Sequence, residues 1–523
     1  MSNVFGTPSG SIFASDFAGT TTDFAGTLFY TVGCHSGQNV SFALDLPESI
    51  ASLQAHYIAN TGYGWGSTAG VKLSEELMLN LTKELVNSTT TVGQALVDAK
   101  QQYFADNPSF DAYHEKITAE STLYGLPMYN VTSSAISYFG SAITANKTQT
   151  IQENELQKDG YSYTWAMATP IATTSGNQFY SINGAIAGNE GEPILPKLTN
   201  EITNDNKSLH GIVFRGGSYT TVDQAPPLQR FKTTTGHLSP ERTFTAPNWY
   251  PATFFTPNIV QLDTKKKEML VATAGQYNPN VGQQRIFGNM DFDVFYHERV
   301  DDSTKPTVYL TNGTLTDNTA TITVTTSDAS GVKEVVMAYT DGKGTWNSIN
   351  LTNGGETWNG NFAANTETEF FIQSVDNAGN VAINDNEGKY FKLEKPLQGI
   401  QIQFQGLNLF YNIGSRVIVE LAEIGSRTQP VDLWIAIQLP SGDLLFKTNN
   451  PIVPFSPEPQ LFKPSVPTNK TNHAIFEFEV PPGMGGNYTF YALYVAEGRN
   501  PLTEGIETVA RSNLVIQIVT LAN

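Results

Sequence analysis

The sequence predicts a multidomain protein: an α/β unit over residues 1–165, then three mainly β domains over 166–302, 303–394 and 395–523. Three observations lead there. Short apolar runs bounded by glycine alternate with helix-period stretches only before residue 165. Beyond it, period-two alternation broken by Gly, Pro and Asn turns takes over. And 523 residues exceed what one hydrophobic core holds.

The elements follow in order. GTLFYTVG (26–33) is a continuous apolar run between glycines, as in a buried parallel strand. HYIANTGYGWG (56–66) is a second strand that enters a glycine-rich loop. Between 72 and 87, Leu73, Leu77, Leu81 and Leu85 recur every four residues, an amphipathic helix with Ser74 as its N-cap. TVGQALVDAKQQYF repeats the pattern through Ala95, Leu96, Ala99 and Tyr103, with Thr91 at the cap. A third helix is expected through AYHEKITAESTLYG, stopping at Gly125, and LPMYNV reads as a further strand.

From 166 to 302 the pattern is irregular β with aromatic clusters such as NWYPATFFTP. After 303 the alternation is cleaner: in TATITVTT, Ile322 and Val324 face one way and Thr321, Thr323 and Thr325 the other. VKEVVMAY, TWNSINLT, TWNGNF and EFFIQSVDNAGNVA follow at the spacing of Ig-like sandwich strands. The last domain repeats that logic, with a hairpin turned by Pro440-Ser441-Gly442-Asp443 and the strands AIFEFEV and YTFYALYV. No 20–50-residue period recurs, so no solenoid is expected.

Composition narrows the function. With 30 Lys+Arg against 49 Asp+Glu, net −19, no basic field exists to attract nucleic acid or an anionic membrane surface. No apolar run is long enough for a transmembrane span. MSNVFGTPSGSIFASDF has neither the basic nor the apolar region of a signal peptide. Ten Asn-x-Ser/Thr sequons (Asn80, Asn87, Asn312 and Asn487 among them) lean toward an extracellular or cell-surface location.

Cys34 is the single cysteine, so no internal disulfide forms. Two readings of it stand. A free cysteine commonly behaves as a small buried hydrophobe. Cys34, however, directly follows an apolar strand and Gly33, at the carboxyl end where open α/β sheets place ligands. His35, Ser36 and Gly37 then lead the chain out, with backbone N–H groups able to hold an oxyanion. The neighbouring strand ends in NTGYGWG (60–66), whose glycines and aromatics form a pocket wall beside the thiol.

FYTVGCHSGQNV, AHYIANTGYGWG, the two leucine/alanine helices and KITAESTLYGLPMY, in this order, resemble the C-terminal half of a gingipain-type (caspase-like, clan CD) cysteine peptidase domain. The resemblance spans roughly 26–130, and Ig-like modules usually follow such a domain. It implies a truncated caspase-like sheet with Cys34 as nucleophile, Gly33, Ser36 and Gly37 around it, and Asn60, Tyr63 and Trp65 on the substrate pocket. The family's catalytic histidine precedes the cysteine, whereas the 33 residues before Cys34 contain no histidine. Of the seven histidines, His35 is the nearest in sequence, but neighbours in extended chain face opposite ways. His56 is expected at the far end of its strand and His114 on a helix; His210, His237, His297 and His473 belong to the β domains. The base is therefore expected in an upstream segment of a longer precursor, or in a second chain completing the sheet, and this chain alone is expected to be inactive.

No Cys/His spacing marks a zinc site and no phosphate-binding glycine loop follows a strand. No cofactor is required. Asp376-Asn377-Ala378-Gly379-Asn380 suits a structural Ca²⁺ or a plain strand-joining turn, and the two alternate aspartates and the His of NMDFDVFYHE suit a ligand cluster or, equally well, solvent-facing strand positions. Two functions result: a secreted or surface cysteine endopeptidase acting on protein or peptide, or a catalytically inactive surface or adhesion protein whose β-sandwiches bind a partner or act as spacers.

Overall fold

The computed structural model describes residues 4–7, 10–40, 44–87, 90–131, 143–166, 170–172, 178–262, 265–298, 302–316, 318–355, 357–393, 400–425, 427 and 429–522. Its chain is mainly β and forms many sheets. Two compact units are built from it: Met1–Pro306 with Asp328–Asn350 and Glu369–Phe391, and Thr307–Ser327 with Leu351–Thr368 and Lys392–Asn523.

The first unit opens with a small α/β layer. Leu28–Tyr30 runs parallel to His56–Asn60, pairing Leu28 with His56 and Tyr30 with Ile58. His56–Asn60 is buried throughout because both its faces are covered. Ile58 packs with Leu73 and with Leu77, Leu81, Ala95, Ala99 and Tyr103 of helices Ser74–Asn87 and Val92–Asp106. Tyr57 and Ala59 face Leu46 and Ile50 of helix Leu46–Ser52 on the other side. Leu28–Tyr30, read as buried, is instead an edge strand with Tyr30 exposed. It pairs with one neighbouring strand only.

Three local expectations are corrected. The third helix, Ala112–Glu120, stops five residues before Gly125. Ser121–Tyr124 becomes a strand antiparallel to His56–Asn60, which supplies the backbone partners that override helical continuation. LPMYNV carries no strand; the reversal at 125–128 follows. Ser74 is the first helical residue rather than the cap. Leu73 precedes it in left-handed backbone, and the Ser74 hydroxyl is turned to the Trp65 N–H and the Asn60 amide. Thr91 does cap its helix, accepting from the Gln94 N–H.

The rest of the first unit is an eleven-stranded sheet and a four-stranded sheet enclosing an aromatic core that includes Phe214, Phe254, Phe287, Phe292, Trp346 and Phe371. The hairpin Ile143–Glu153/Leu156–Trp165 joins the larger sheet beside Asn289–His297. Segment 303–394 gives strands to both units. Val332–Thr340, Thr345–Asn350 and Glu369–Asp376 extend the eleven-stranded sheet through pairing of Trp346 with Gly217. Thr307–Thr316, Thr319–Ser327 and Trp358–Ala363 form a separate sheet in the second unit.

In the second unit, Ile400–Gln405, Arg416–Gly425 and Asn472–Glu479 face a seven-stranded sheet centred on Val431–Gln438 and Gly486–Ala496. The predicted turn at 440–443 closes its hairpin, with the Leu439 N–H donating to the Asp443 carbonyl.

Candidate functional site

The carboxyl ends of the parallel pair bring together most of the residues singled out in the sequence. Beyond Tyr30 the chain keeps one more ladder bond, Thr31 N–H to Ile58 O, then turns at Cys34–Gly37. His35 has φ +53°, so Cys34 and His35 lie in a turn and not in extended chain. The turn is held from within and below: the Ser36 hydroxyl donates to the Gly33 carbonyl at 2.8 Å, and the Gly37 N–H donates to the Asn60 carbonyl at 2.9 Å. Tyr57 and Tyr124 donate their hydroxyls to the Ser36 and Gly37 carbonyls.

The loop after His56–Asn60 lies against this turn. A Cβ on Gly64 would stand 1.8 Å from the Val32 carbonyl oxygen, so only glycine permits the approach. Asn60 is fully buried and braces the two strand ends, donating to the Val32 carbonyl at 3.2 Å, while its Oδ1 has no hydrogen-bond partner. Tyr63 is exposed and packs edge-on against the His35 ring, with Lys116 over its own face. Trp65 is half-buried against Tyr113, its indole N–H unpartnered.

Cys34 itself is only 6% exposed. Its sulfur receives the Thr234 hydroxyl at 2.9 Å, and its S–H reaches the Gly64 carbonyl at 3.5 Å. The Cys34 N–H donates to the same Thr234 oxygen at 3.0 Å, and of the oxyanion donors expected after the cysteine, the His35 N–H donates to the Gly62 carbonyl and the Gly37 N–H to that of Asn60. Thr234 belongs to a hairpin missed by the sequence reading. Phe231–Thr233 pairs antiparallel with Trp65–Ser67, and the chain then reverses at Gly236, with the His237 N–H donating to the Thr233 hydroxyl. Gly236 and the threonines of FKTTTGHLS mark a turn; nothing in them says what the turn touches.

No imidazole is hydrogen-bonded to Cys34 among the described residues. His35 places its Nδ1 3.3 Å from the Thr61 carbonyl. His56 accepts from the Leu126 N–H and lies on Tyr129. His114 is buried and paired with Asp111 at 2.6 Å. His473 is buried with Tyr494 in the second unit.

The Asp376 turn gains partners that linear reading could not supply. Carboxylate oxygens of Asp302, Asp328 and Asp376 lie within 4.8 Å of one another. Asp376 is fully buried, accepting from the Ala378 and Asn380 N–H groups and the Asn380 amide. Burial pushes its carboxyl up; Asp328 and Asp302 add to that, and the Asn380 hydrogen bonds oppose it. Asp293 of NMDFDVFYHE, read as solvent-facing, is buried and pairs with Arg215 at 2.7 Å.

No protein-family model matches the chain, and no curated protein matches it. Among solved structures it is similar to the complex of the pro- and mature domains of RgpB from Porphyromonas gingivalis: 17% identity over 29% of this chain and 81% of that one, TM-score 0.21. A structure on the zymogenic latency of gingipain K from the same organism matches at 12% identity over 30% of this chain and 100% of that one, TM-score 0.22. Dimeric latent PorU, also from P. gingivalis, matches at 10% identity over 90% of this chain and 41% of that one, TM-score 0.19. Likenesses of this size relate the chain to gingipain-type structures weakly and assign no residue or activity.

Proposed function

We infer that this chain is an extracellular, gingipain-like protein whose caspase-like α/β portion is catalytically silent, and whose β domains bind a partner or act as spacers. The ordered motifs around Cys34 and HYIANTGYGWG support the relation. The closed state of Cys34 carries the silence. Thiolate attack needs a free sulfur lone pair, a base within hydrogen-bond reach and an unoccupied oxyanion donor. Thr234 occupies the sulfur and the Cys34 N–H together. Ca²⁺ fits the reading as a structural ion held by Asp302, Asp328 and Asp376, since carboxylate oxygens suit a hard cation.

One observation favours a second reading, a cysteine endopeptidase. Cys34 sits on a turn directly past the carboxyl end of a parallel strand, beside a glycine-lined loop. That activity requires the 231–239 hairpin to withdraw and a histidine to reach the sulfur, with His35 or a partner chain supplying it.

A peptidyl acyloxymethyl ketone, which alkylates only activated thiolates, separates the two. On the silent reading the folded chain stays unlabelled and cleaves no peptide. Labelling of Cys34, together with hydrolysis lost in Cys34→Ala, would establish the peptidase instead.

A further inference from the structure

Away from Cys34, helix Val92–Asp106 ends against the strand Leu195–Glu201 on a polar cluster that the silent-scaffold reading does not use. Lys197 and Asn107 are 7% and 6% exposed. The Lys197 Nζ lies 2.9 Å from the Asn107 Oδ1. Glu76, from helix Ser74–Asn87, touches both partners through one oxygen: its Oε1 is 3.4 Å from the Lys197 Nζ and 3.2 Å from the Asn107 Nδ2. Its other oxygen is buried with no hydrogen-bond partner. The Asn107 amide also donates to the Tyr103 carbonyl at 2.8 Å, which fixes its plane.

A buried amine held on a carboxamide, with a carboxyl bridging the attacking and the leaving nitrogen, is the arrangement that transamidation needs. We propose that Lys197 and Asn107 form an intramolecular isopeptide bond, with Glu76 as the proton relay. Lys197 first passes a proton to Glu76. The free Nζ then attacks the Asn107 Cγ, whose carbonyl the contact already polarises, and a C–N bond forms. Glu76, now protonated, gives its proton to Nδ2 and then takes one from the attacking nitrogen; the Cγ–Nδ2 bond breaks, and the departing ammonia carries off the proton left on Glu76 as ammonium. Lysine ammonium plus asparagine amide thus become one secondary amide plus ammonium, with no oxidant and no cofactor.

Three features favour the step. Positioning comes first: well-oriented intramolecular pairs reach effective concentrations on the order of 10⁵–10⁸ M. Charge comes second. Lys72, 3% exposed with its Nζ on the Gly188 carbonyl, crowds the same cluster, and burial and then the Lys197 charge lower its pKa to about 8. Burial pushes the Glu76 carboxyl up, but Lys197 and then Lys72 bring it below its ordinary value, and Glu192 and Asp111 also face Lys72. Converting Lys197 to a neutral amide relieves that repulsion. Third, Lys72, Asn107 and Lys197 line a cavity of about 380 Å³ through which ammonia can leave. The bond would join positions 90 residues apart, tying the helical layer to the β strands of the same unit.

The test is the intact mass of the purified full chain, followed by peptide mapping. A mass one ammonia below the sequence value is expected, with a branched peptide joining Lys197 to Asn107. Glu76→Gln and Lys197→Arg should both return the full mass. A wild-type chain at full mass overturns the proposal. So does ammonia loss that maps to an Asn-Gly succinimide such as Asn183-Gly184 or Asn353-Gly354, without the branched peptide. A branched peptide that persists in Glu76→Gln would overturn the role of Glu76 as relay.

Discussion

The Thr234 hydroxyl donates to the Cys34 sulfur at 2.9 Å and accepts the Cys34 N–H at 3.0 Å, across 200 residues of sequence. One side chain thereby satisfies both polar groups that a nucleophilic cysteine would need free. Thr234→Val keeps the shape and removes the hydroxyl. It is expected to cost about 1–3 kcal/mol of stability, since two hydrogen bonds go and the Cys34 N–H is left unpaired, and to raise the rate at which Cys34 is alkylated. Urea unfolding and iodoacetamide labelling report the two effects.

Gly64 is the tightest approach at the site. Gly64→Ala puts a methyl on the Val32 carbonyl; overpacking of this kind costs about 1–3 kcal/mol, and more where backbone must move. Gly282→Ala, with open space around its Cβ and φ +69°, should cost only the left-handed penalty of about 1–2 kcal/mol. Denaturant midpoints of the two variants compare them.

Burial, reinforced by Lys463, Lys470 and Arg427, pushes His473 down to about 4 from its ordinary 6.5. The unfolded chain therefore binds the proton first. Stability from this residue is fully present above pH 6.5 and is lost as pH falls toward 4, by at most about 3 kcal/mol. Wild type should weaken across that window, while His473→Gln follows a flatter profile. Urea midpoints measured from pH 7 to 4 test it.

If Asp302, Asp328 and Asp376 hold Ca²⁺ with the dissociation constant of about 10⁻⁴–10⁻³ M usual for extracellular modules, 10 mM-scale Ca²⁺ should stabilise the chain by about 1–3 kcal/mol. Asp328→Asn should lose most of that gain. Thermal unfolding with Ca²⁺ and with chelator decides it; an equal shift in both proteins would place the ion elsewhere.

Legibility in the sequence followed the range of the interactions. Val92–Asp106 could be read because its apolar period and its Thr91 cap are local. His56–Asn60 and Leu28–Tyr30 look alike in sequence, yet the first lies between two strands and the second at the sheet edge; that difference is set by neighbours. Ser121–Tyr124 follows its helix with no Gly or Pro between them, and only pairing with His56–Asn60 makes it a strand. At the candidate site, Gly33–Gly37 and the 60–65 loop were visible because they cluster along the chain. Thr234 and the Asp302/Asp328 pair were not, since each meets its partners from a distant segment whose composition records only a turn.

The most direct test of the silent-scaffold account is the rate of Cys34 alkylation by iodoacetamide at pH 6, in the folded chain and in urea, with Cys34→Ala as blank. The account predicts that the folded chain reacts on the order of tenfold more slowly than the unfolded one, because its sulfur is buried and bonded to Thr234. A folded chain that reacts faster than the unfolded one would contradict it, since at that pH only a thiol paired with a base outpaces a free cysteine.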